Sequence, residues 1–189
     1  MLKHEAALNA HGLDDSRASP PELLELGNAA LRFLKTVDGD LELLSALDDQ
    51  LDGALMLPLL DAPRRLSVAS EVELAVELAR ALAFCARDDM HGEIAAAYAR
   101  AGRREDALAQ VDSNLETAEL PFLAEARAGD VYQLLGDTDS AEAYFRRSLA
   151  VAGDGSEKRQ AALRIANLLI DQGREAEASA LLAAEHVDR

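Results

Sequence analysis

The sequence predicts an all-α protein built from antiparallel helix pairs, and three observations lead to this prediction. The 189 residues are 49% hydrophobic but only 4% aromatic, and their apolar side chains are mainly those of Ala and Leu, which are strong helix formers. Similar segments recur around glycines at positions 102, 136 and 173, which are 34 and 37 residues apart. A short polar stretch follows each glycine before the next apolar stripe begins, and so short a turn forces the flanking helices to run antiparallel.

The first 87 residues are less regular than the rest of the chain. The predicted helices are Pro21–Val37, Asp40–Leu57 and Ser67–Cys85. Within the break predicted at Leu57–Arg65, Pro58 and Pro63 should interrupt helical hydrogen bonding. We expect residues 1–20 to form a partly disordered N-terminal segment and residues 21–87 to form divergent helix pairs that continue the stack. A separate N-terminal helical domain is the alternative.

Residues 88–189 contain three units that share one pattern of helix, glycine and helix. In the second unit the apolar stripe of the first helix is Ala128, Val131, Tyr132 and Leu135. Gly136 follows, where a left-handed residue normally ends a helix. A second apolar stripe then contains Ala141, Phe145 and Leu149. Because neither helix can bury its stripe alone, we expect neighbouring pairs to stack.

These units resemble tetratricopeptide repeats, whose usual period is 34 residues. The matching residues are Ile94, Ala95, Tyr98, Ala107 and Val111, then Ala128, Gly129, Tyr132, Ala141 and Phe145, then Ile165, Ala166, Leu169, Ala178 and Leu182. The position that usually holds Trp instead has His91, Glu125 or Ala162. The resemblance covers residues 88–185 and implies a right-handed α-α superhelical solenoid, but it points to no particular partner.

The resemblance also implies where a partner would bind, because in this family the first helices of successive pairs line a concave groove that holds peptides or partner helices. The residues predicted to line the groove are Ala96, Ala99, Arg100, Ala126, Asp130, Gln133, Leu134, Leu163, Asn167, Ile170 and Asp171. Asn167 lies where some family members clamp a terminal carboxylate, but no lysine accompanies it, and Asp130 and Asp171 should repel a carboxylate. We therefore expect a basic or amphipathic segment as the partner.

The net charge and the cysteine content indicate which partners and which cellular compartment to expect. The formal net charge of −16 should repel phosphate backbones, so nucleic acid is not expected as a direct partner. The alternative is that this charge serves only to keep an Ala- and Leu-rich chain soluble. The single cysteine, Cys85, excludes an internal disulfide and fits a reducing compartment. With neither a secretory signal nor an apolar run long enough to cross a bilayer, the expected location is cytoplasmic.

The sequence contains few candidates for catalysis or metal binding. Cys85, Asp88 and His91 lie close together, but their spacing matches no known ligand pattern, and we expect an exposed helix junction there. Asp48 and Asp52, predicted one helical turn apart, could bind a cation or act as an acid–base pair, although a solvated face is the commoner explanation.

Two glycine-containing stretches suggest ligand-binding loops, but neither is predicted to bind a ligand. Residues 153–158, GDGSEK, lack the strand and the longer glycine frame of a phosphate-binding loop, and we expect a connector between repeats. Asp137, Asp139 and Glu142 suggest a calcium loop, but the sister turns offer Arg103 with Glu105 and Arg174 with Glu175 instead of Asp137 and Asp139. These acids should therefore favour the start of the next helix. We predict no catalytic residue, no cofactor and no metal site.

The predicted function is that of a non-catalytic adaptor or scaffold that binds another protein. One alternative is a small acidic chaperone, of tetratricopeptide type, for a secreted or assembling client. Another is a self-associating structural protein, because Leu182 and Val187 near the end of the last helix pair should be left uncovered and could form a homodimer interface. An enzyme is the least favoured class.

Overall fold

The computed structural model describes residues 18–153 and 155–185, and within these ranges every regular element is an α-helix. The prediction of an all-α protein is therefore confirmed. The helices are α1 (Pro20–Val37), α2 (Leu41–Asp49), α3 (Met56–Val68), α4 (Val72–Leu82), α5 (Arg87–Arg100), α6 (Arg104–Thr117), α7 (Pro121–Leu134), α8 (Thr138–Val151), α9 (Gly155–Asp171) and α10 (Glu175–Ala184). The chain divides into two compact units, Met1–Ala107 and Leu108–Arg189. The superhelical course and the domain bounds drawn from the sequence stay predictions.

The first unit is centred on α4, which packs against α1, α3 and α5. Helix α1 starts at a capping box, in which the backbone N and Oγ of Ser19 both donate to Glu22 Oε2 at 2.7 and 2.6 Å. The core consists mainly of aliphatic side chains, together with Phe33. Its fully buried members include Leu44, Leu55, Leu59, Leu66, Leu78 and Leu82. Residues 1–17, most of the predicted N-terminal segment, lie outside the described residues.

The predicted helix Asp40–Leu57 is wrong, because α2 ends at Asp49, and the predicted break at Leu57–Arg65 is wrong as well, because α3 begins at Met56 and runs through it. The carboxylate of Asp48 fixes the intervening turn, since its Oδ1 accepts hydrogen bonds from the backbone N of Leu55 at 2.8 Å and of Met56 at 2.9 Å. Pro58 does not interrupt α3, because it lies in the first turn, where backbone N–H groups have no helical acceptor. Pro63 lies inside the same helix and is buried, so packing outweighs its missing hydrogen bond.

The four turns that close helix pairs α3–α4, α5–α6, α7–α8 and α9–α10 share one geometry. Gly102, Gly136 and Gly173 have φ angles of 72°, 76° and 73°, so the predicted left-handed caps are confirmed. Ser70 has φ 70° and occupies the same position before α4. In each turn the next residue donates its backbone N–H to a carbonyl five residues earlier, over 2.8–2.9 Å. The α3–α4 pair is thus closed like the others, and the predicted helix start at Ser67 is wrong because the turn comes first.

The second unit contains the pairs α7–α8 and α9–α10, and α9 packs against both α7 and α8. Phe145 is fully buried, and its ring lies so close to Gly129 that a Cβ at that position would overlap it. The expectation that Leu182 is uncovered is wrong, because its side chain is only 4% exposed and belongs to the core formed with Ile165, Leu169 and Ala178. Val187 lies outside the described residues.

Candidate functional site

The candidate site is a surface on α7 and α9, the first helices of the two pairs in the second unit. These helices pack against each other. Arg127, Asp130 and Leu134 lie at steps of three and four residues along α7, and such spacing places side chains on one face of a helix. Arg164, Asn167 and Asp171 repeat the same steps on α9. We call this surface the α7–α9 face, and it comprises Arg127, Asp130, Gln133, Leu134, Arg164, Asn167, Ile170 and Asp171.

Six of the eleven residues predicted to line the groove lie on the α7–α9 face. Gln133, Leu134, Asn167, Ile170 and Asp171 are exposed, and Asp130 is half-buried. Ala126, although predicted for the same groove, is fully buried and cannot contact a partner. Leu163 is half-buried because it packs against the core of the second unit. The reason is geometric: the helices approach most closely where the residues are small, so the alanine is used for packing.

The other three predicted groove residues belong to the first unit. Ala96 and Ala99 are buried, so their side chains are not available to a partner. Arg100 is half-buried; its Nη1 donates to Ser67 Oγ at 2.7 Å and lies 3.8 Å from Glu93 Oε2. Arg100 therefore connects α5 to α3, and these contacts indicate a structural role for it.

Asp130 is the centre of a charged cluster that joins the two helices of the face. Its Oδ2 lies 3.5 Å from Arg127 Nη1 on α7, and its Oδ1 lies 3.5 Å from Arg164 Nε on α9. Desolvation raises the pKa of Asp130 above its ordinary value, although both guanidinium groups act to lower it. Asp130 is therefore paired with arginines of both helices, and the expectation that it repels a carboxylate stays a prediction.

Sequence reasoning missed the two arginines, although a signal for them exists. Arg127 and Arg164 both lie nine residues before the turn glycine of their unit, Gly136 or Gly173. The corresponding residue before Gly102 is Glu93, so the position changes sign between repeats. A comparison of charge at equivalent repeat positions would have identified both arginines as neighbours on adjacent first helices.

Two large apolar side chains lie at the carboxyl end of the face. Leu134 is 43% exposed and Ile170 is 38% exposed, and each lies in the last turn of its helix. Gln133 and Asp171, both exposed, are their neighbours in the chain. Because α7 and α9 are both first helices and therefore run in the same direction, these side chains lie at the same end of the face. Apolar groups bordered by polar ones are typical of protein-binding surfaces.

The acids of the 136–145 stretch have structural roles. Asp137 caps α8, since its side chain accepts a hydrogen bond from Ser140 N at 3.1 Å, as expected for an acid at the start of a helix. Glu142 accepts hydrogen bonds from Arg146 and from Arg174. In the described part of the chain, no group of three or more His, Cys, Asp or Glu side chains could hold a metal ion.

Local contacts also account for the candidates that follow, whereas the exposed junction expected at Cys85, Asp88 and His91 is wrong, because Asp88 is only 5% exposed. Asp48 caps α3 as described above, and Asp52 lies in the turn with φ 54°, so the two acids do not share a helix face. Cys85 Sγ donates to Leu82 O at 3.0 Å, and burial raises the pKa of this thiol, which disfavours the nucleophilic thiolate. Gly153 donates its backbone N–H to Glu157 Oε2 at 2.6 Å. The connector predicted over residues 153–158 is too long, because α9 begins at Gly155.

Among the residues described, no helix combines the length and the apolar character needed to span a bilayer.

Comparison with known proteins gives little further information. No protein-family model and no curated protein matches the sequence. Among solved structures, a chain described as "MamA AMB-1 P212121" is similar over 98% of this chain and 90% of that one, with a TM-score of 0.42 and 18% sequence identity. We draw no functional conclusion from a likeness of this size.

Proposed function

We propose that this protein is a non-catalytic interaction module that binds a segment of another protein on the α7–α9 face. The observation that carries the proposal is the exposure of Leu134 and Ile170 at the same end of two packed helices. Burial of apolar surface is the main favourable term in association, at roughly 25 cal/mol per Å². Gln133 and Asn167, both exposed beside them, can hydrogen-bond to the backbone or side chains of a bound segment.

The partner segment is amphipathic. Its apolar side chains cover Leu134 and Ile170, and a basic residue lies near Asp171, which is exposed and ends α9. The negative end of the helix dipole adds to the attraction of Asp171 for a cation. The net charge of −16 also accelerates encounter with a basic partner.

The alternatives raised by the sequence are less well supported. The argument for a homodimer through the last helix pair depended on an uncovered Leu182, which is buried. A chaperone would use the same face, so that alternative concerns the identity of the client and not the surface. The cytoplasmic location is part of the proposal.

Selection from a random 16-residue peptide display library against the purified full chain tests this function. Binding of the selected peptides is then measured for L134E/I170E and for the control L120E/V151E. The control is matched, because Leu120 and Val151 are 48% and 51% exposed in the same unit but lie outside the face. We expect the face variant to lose binding at least about tenfold, as for central interface residues, while the control binds like the parent.

Circular dichroism must first show that both variants keep their helix content. Equal binding by parent and face variant would contradict the proposal. An equal loss in the control variant would also contradict it, since the effect would then come from added negative charge.

A further inference from the structure

We propose that the first unit contains a pocket that takes one apolar side chain of a partner segment, whose adjacent main-chain carbonyl group accepts a hydrogen bond from Arg64. The pocket lies between the start of α1 and the end of α3. Its lining residues are Ala18, Leu23, Arg64, Arg65, Val68 and Ala69. Because all of them belong to the first unit, this inference is independent of the proposed function.

The volume of the pocket decides the size of the group that it admits. It measures about 210 Å³, whereas a single water molecule needs only about 10–15 Å³ of such space. Pockets that enclose a whole small-molecule ligand typically measure about 300–1,000 Å³. The pocket therefore has room for one side chain of the size of Leu or Phe, and it is too small for an entire cofactor.

The lining of the pocket favours an apolar group. Four of the six lining residues, Ala18, Leu23, Val68 and Ala69, have apolar side chains. Leu23 is only 9% exposed and belongs to the core of the first unit, whereas Val68 is 66% exposed. An apolar side chain in the pocket would cover Val68, and the burial of such surface is the main favourable term in association.

Both walls of the pocket are ordered without a ligand. Ser19 and Glu22 form the capping box that starts α1 beside the pocket. At the end of α3, the backbone N–H of Ala69 donates to Arg65 O at 3.0 Å. A pocket whose walls are already held by hydrogen bonds loses less conformational entropy when it binds a ligand.

Arg64 supplies the polar contact of the pocket. Its side chain is 54% exposed, and its Nε donates to Asp61 Oδ1 at 2.8 Å. Within the described part of the chain, its two terminal nitrogens, Nη1 and Nη2, donate to no acceptor. Because a guanidinium group has five N–H donors, donors remain for an oxygen atom of a ligand.

The contact between Arg64 and Asp61 decides which kind of oxygen the pocket prefers. The hydrogen bond that Arg64 donates to Asp61 raises the pKa of the Arg64 guanidinium above its ordinary value, and the negative charges of Asp61 and Glu93 add to this effect. A further carboxylate beside Arg64 would be repelled by both acids, whereas a neutral carbonyl group would not. A main-chain carbonyl group is such an acceptor, and every protein segment has one next to each side chain.

An NMR titration of the isotope-labelled full chain tests the pocket. The probe is N-acetyl-leucine methylamide, which has an aliphatic side chain between two neutral carbonyl groups. We expect the backbone amide signals of Leu23, Val68 and Ala69 to shift, with a Kd of about 1 mM for a ligand of this size. N-acetylglycine methylamide, which lacks the side chain, should bind at least about tenfold more weakly.

Two pairs of matched variants locate the contact. V68S should weaken binding of the leucine probe about threefold or more. Its control is L57S, because Leu57 is 75% exposed on the same helix but lies outside the pocket. R64Q should weaken binding about three- to tenfold, because the guanidinium donors are lost. Its control is R80Q, at an exposed arginine that does not line the pocket.

A charged probe distinguishes the two kinds of oxygen. N-acetyl-leucine, in which a carboxylate replaces the methylamide, should bind no more tightly than the neutral probe. Added salt should change the affinity for the neutral probe by less than about twofold, because no charge on the ligand is screened.

The inference is overturned if the leucine and glycine probes bind alike, if V68S or R64Q binds like its control, or if the carboxylate probe binds more tightly than the neutral one. L134E/I170E should bind the leucine probe like the parent. Failure of the pocket and failure of the proposed function are therefore separate results.

Discussion

Arg174 Nη1 donates a hydrogen bond of 2.6 Å to Glu142 Oε2, and this contact fastens the turn before α10 to α8. Arg103, which likewise follows a turn glycine directly, reaches back in the same way in the first unit, where its Nη1 lies 3.3 Å from Glu73 Oε1 on α4. In both cases the arginine also binds an acid three residues further on, Glu177 or Asp106. In these two turns, the arginine thus connects a helix pair to the second helix of the preceding pair.

The Arg174–Glu142 contact predicts a pH dependence of stability. The hydrogen bond that Glu142 accepts from Arg174 lowers the pKa of Glu142 below its ordinary value, although burial acts to raise it. A carboxyl whose pKa is lower in the folded state contributes stability above its unfolded pKa, near 4.3, and loses it as the pH falls through the folded value. E142Q should therefore be less stable than the parent at pH 7, by about 1 kcal/mol or less, because the pair is partly exposed.

Urea denaturation at pH 7 and at about pH 3 measures this difference. The gap between E142Q and the parent should narrow at the lower pH. A gap of unchanged size would show that the Glu142 carboxylate is not the group concerned. E175Q is the control, because Glu175 is an exposed acid in the same unit.

The packing around Gly129 on α7 leaves no room for a larger side chain at this position. An Ala Cβ there would overlap the ring of Phe145, which is fully buried. Overpacking typically costs about 1–3 kcal/mol, which should exceed the gain of about 1 kcal/mol that Ala has over Gly in a helix. G129A should therefore lower the free energy of unfolding, whereas the control G155A should not, since a Cβ on Gly155 meets no atom within 4 Å.

A double-mutant cycle with F145L provides the decisive measurement. The smaller side chain leaves room for the new methyl group, so F145L should be less harmful in the G129A background than in the parent. Additive effects of the two substitutions would mean that this contact does not limit packing.

Ser70 predicts a stabilising substitution in the α3–α4 turn. Its φ of 70° lies in the left-handed region, which side chains with a Cβ adopt at a cost of roughly 1 kcal/mol or more. S70G should therefore raise the thermal unfolding midpoint, despite the greater freedom of glycine in the unfolded chain. G136A, the opposite change at an equivalent turn with φ 76°, should lower it. A lower midpoint for S70G would show that the Ser side chain stabilises this turn by more than its backbone strain costs.

Removal of the Asp48 carboxylate should destabilise the first unit locally. Its carboxylate accepts hydrogen bonds from two backbone N–H groups at the start of α3, at 2.8 and 2.9 Å. D48A should cost about 1–2 kcal/mol, as for other helix caps. D49A is the control, since Asp49 is an exposed acid that ends α2. Hydrogen exchange should show faster opening of the α2–α3 turn in D48A alone; equal exchange in both variants would rule out the cap.

The sequence by itself determined the helix pairs of the C-terminal half, because their causes are local. Apolar residues at three- and four-residue steps give each helix one buried face, and a glycine at a left-handed position ends it. The turn of the α3–α4 pair was not predicted, because Ser70 occupies the left-handed position at which the other turns have glycine. The role of Asp48 was missed for a related reason, since the backbone N–H groups that donate to its carboxylate lie seven and eight residues away, in a turn that the sequence presented as helix.

The tertiary structure alone decided which side chains of the α7–α9 face are available and what charge they present. Ala126 and Leu134 both fit a groove when only helical spacing is considered, but α7 packs closely at the alanine and leaves the leucine exposed. Asp130 was an isolated acid in the sequence, and its pairing with Arg164 became visible only when helices 34 residues apart came together. Helical periodicity is set by neighbours in the chain, whereas burial and ion pairing depend on contacts between distant segments, which a single sequence does not specify.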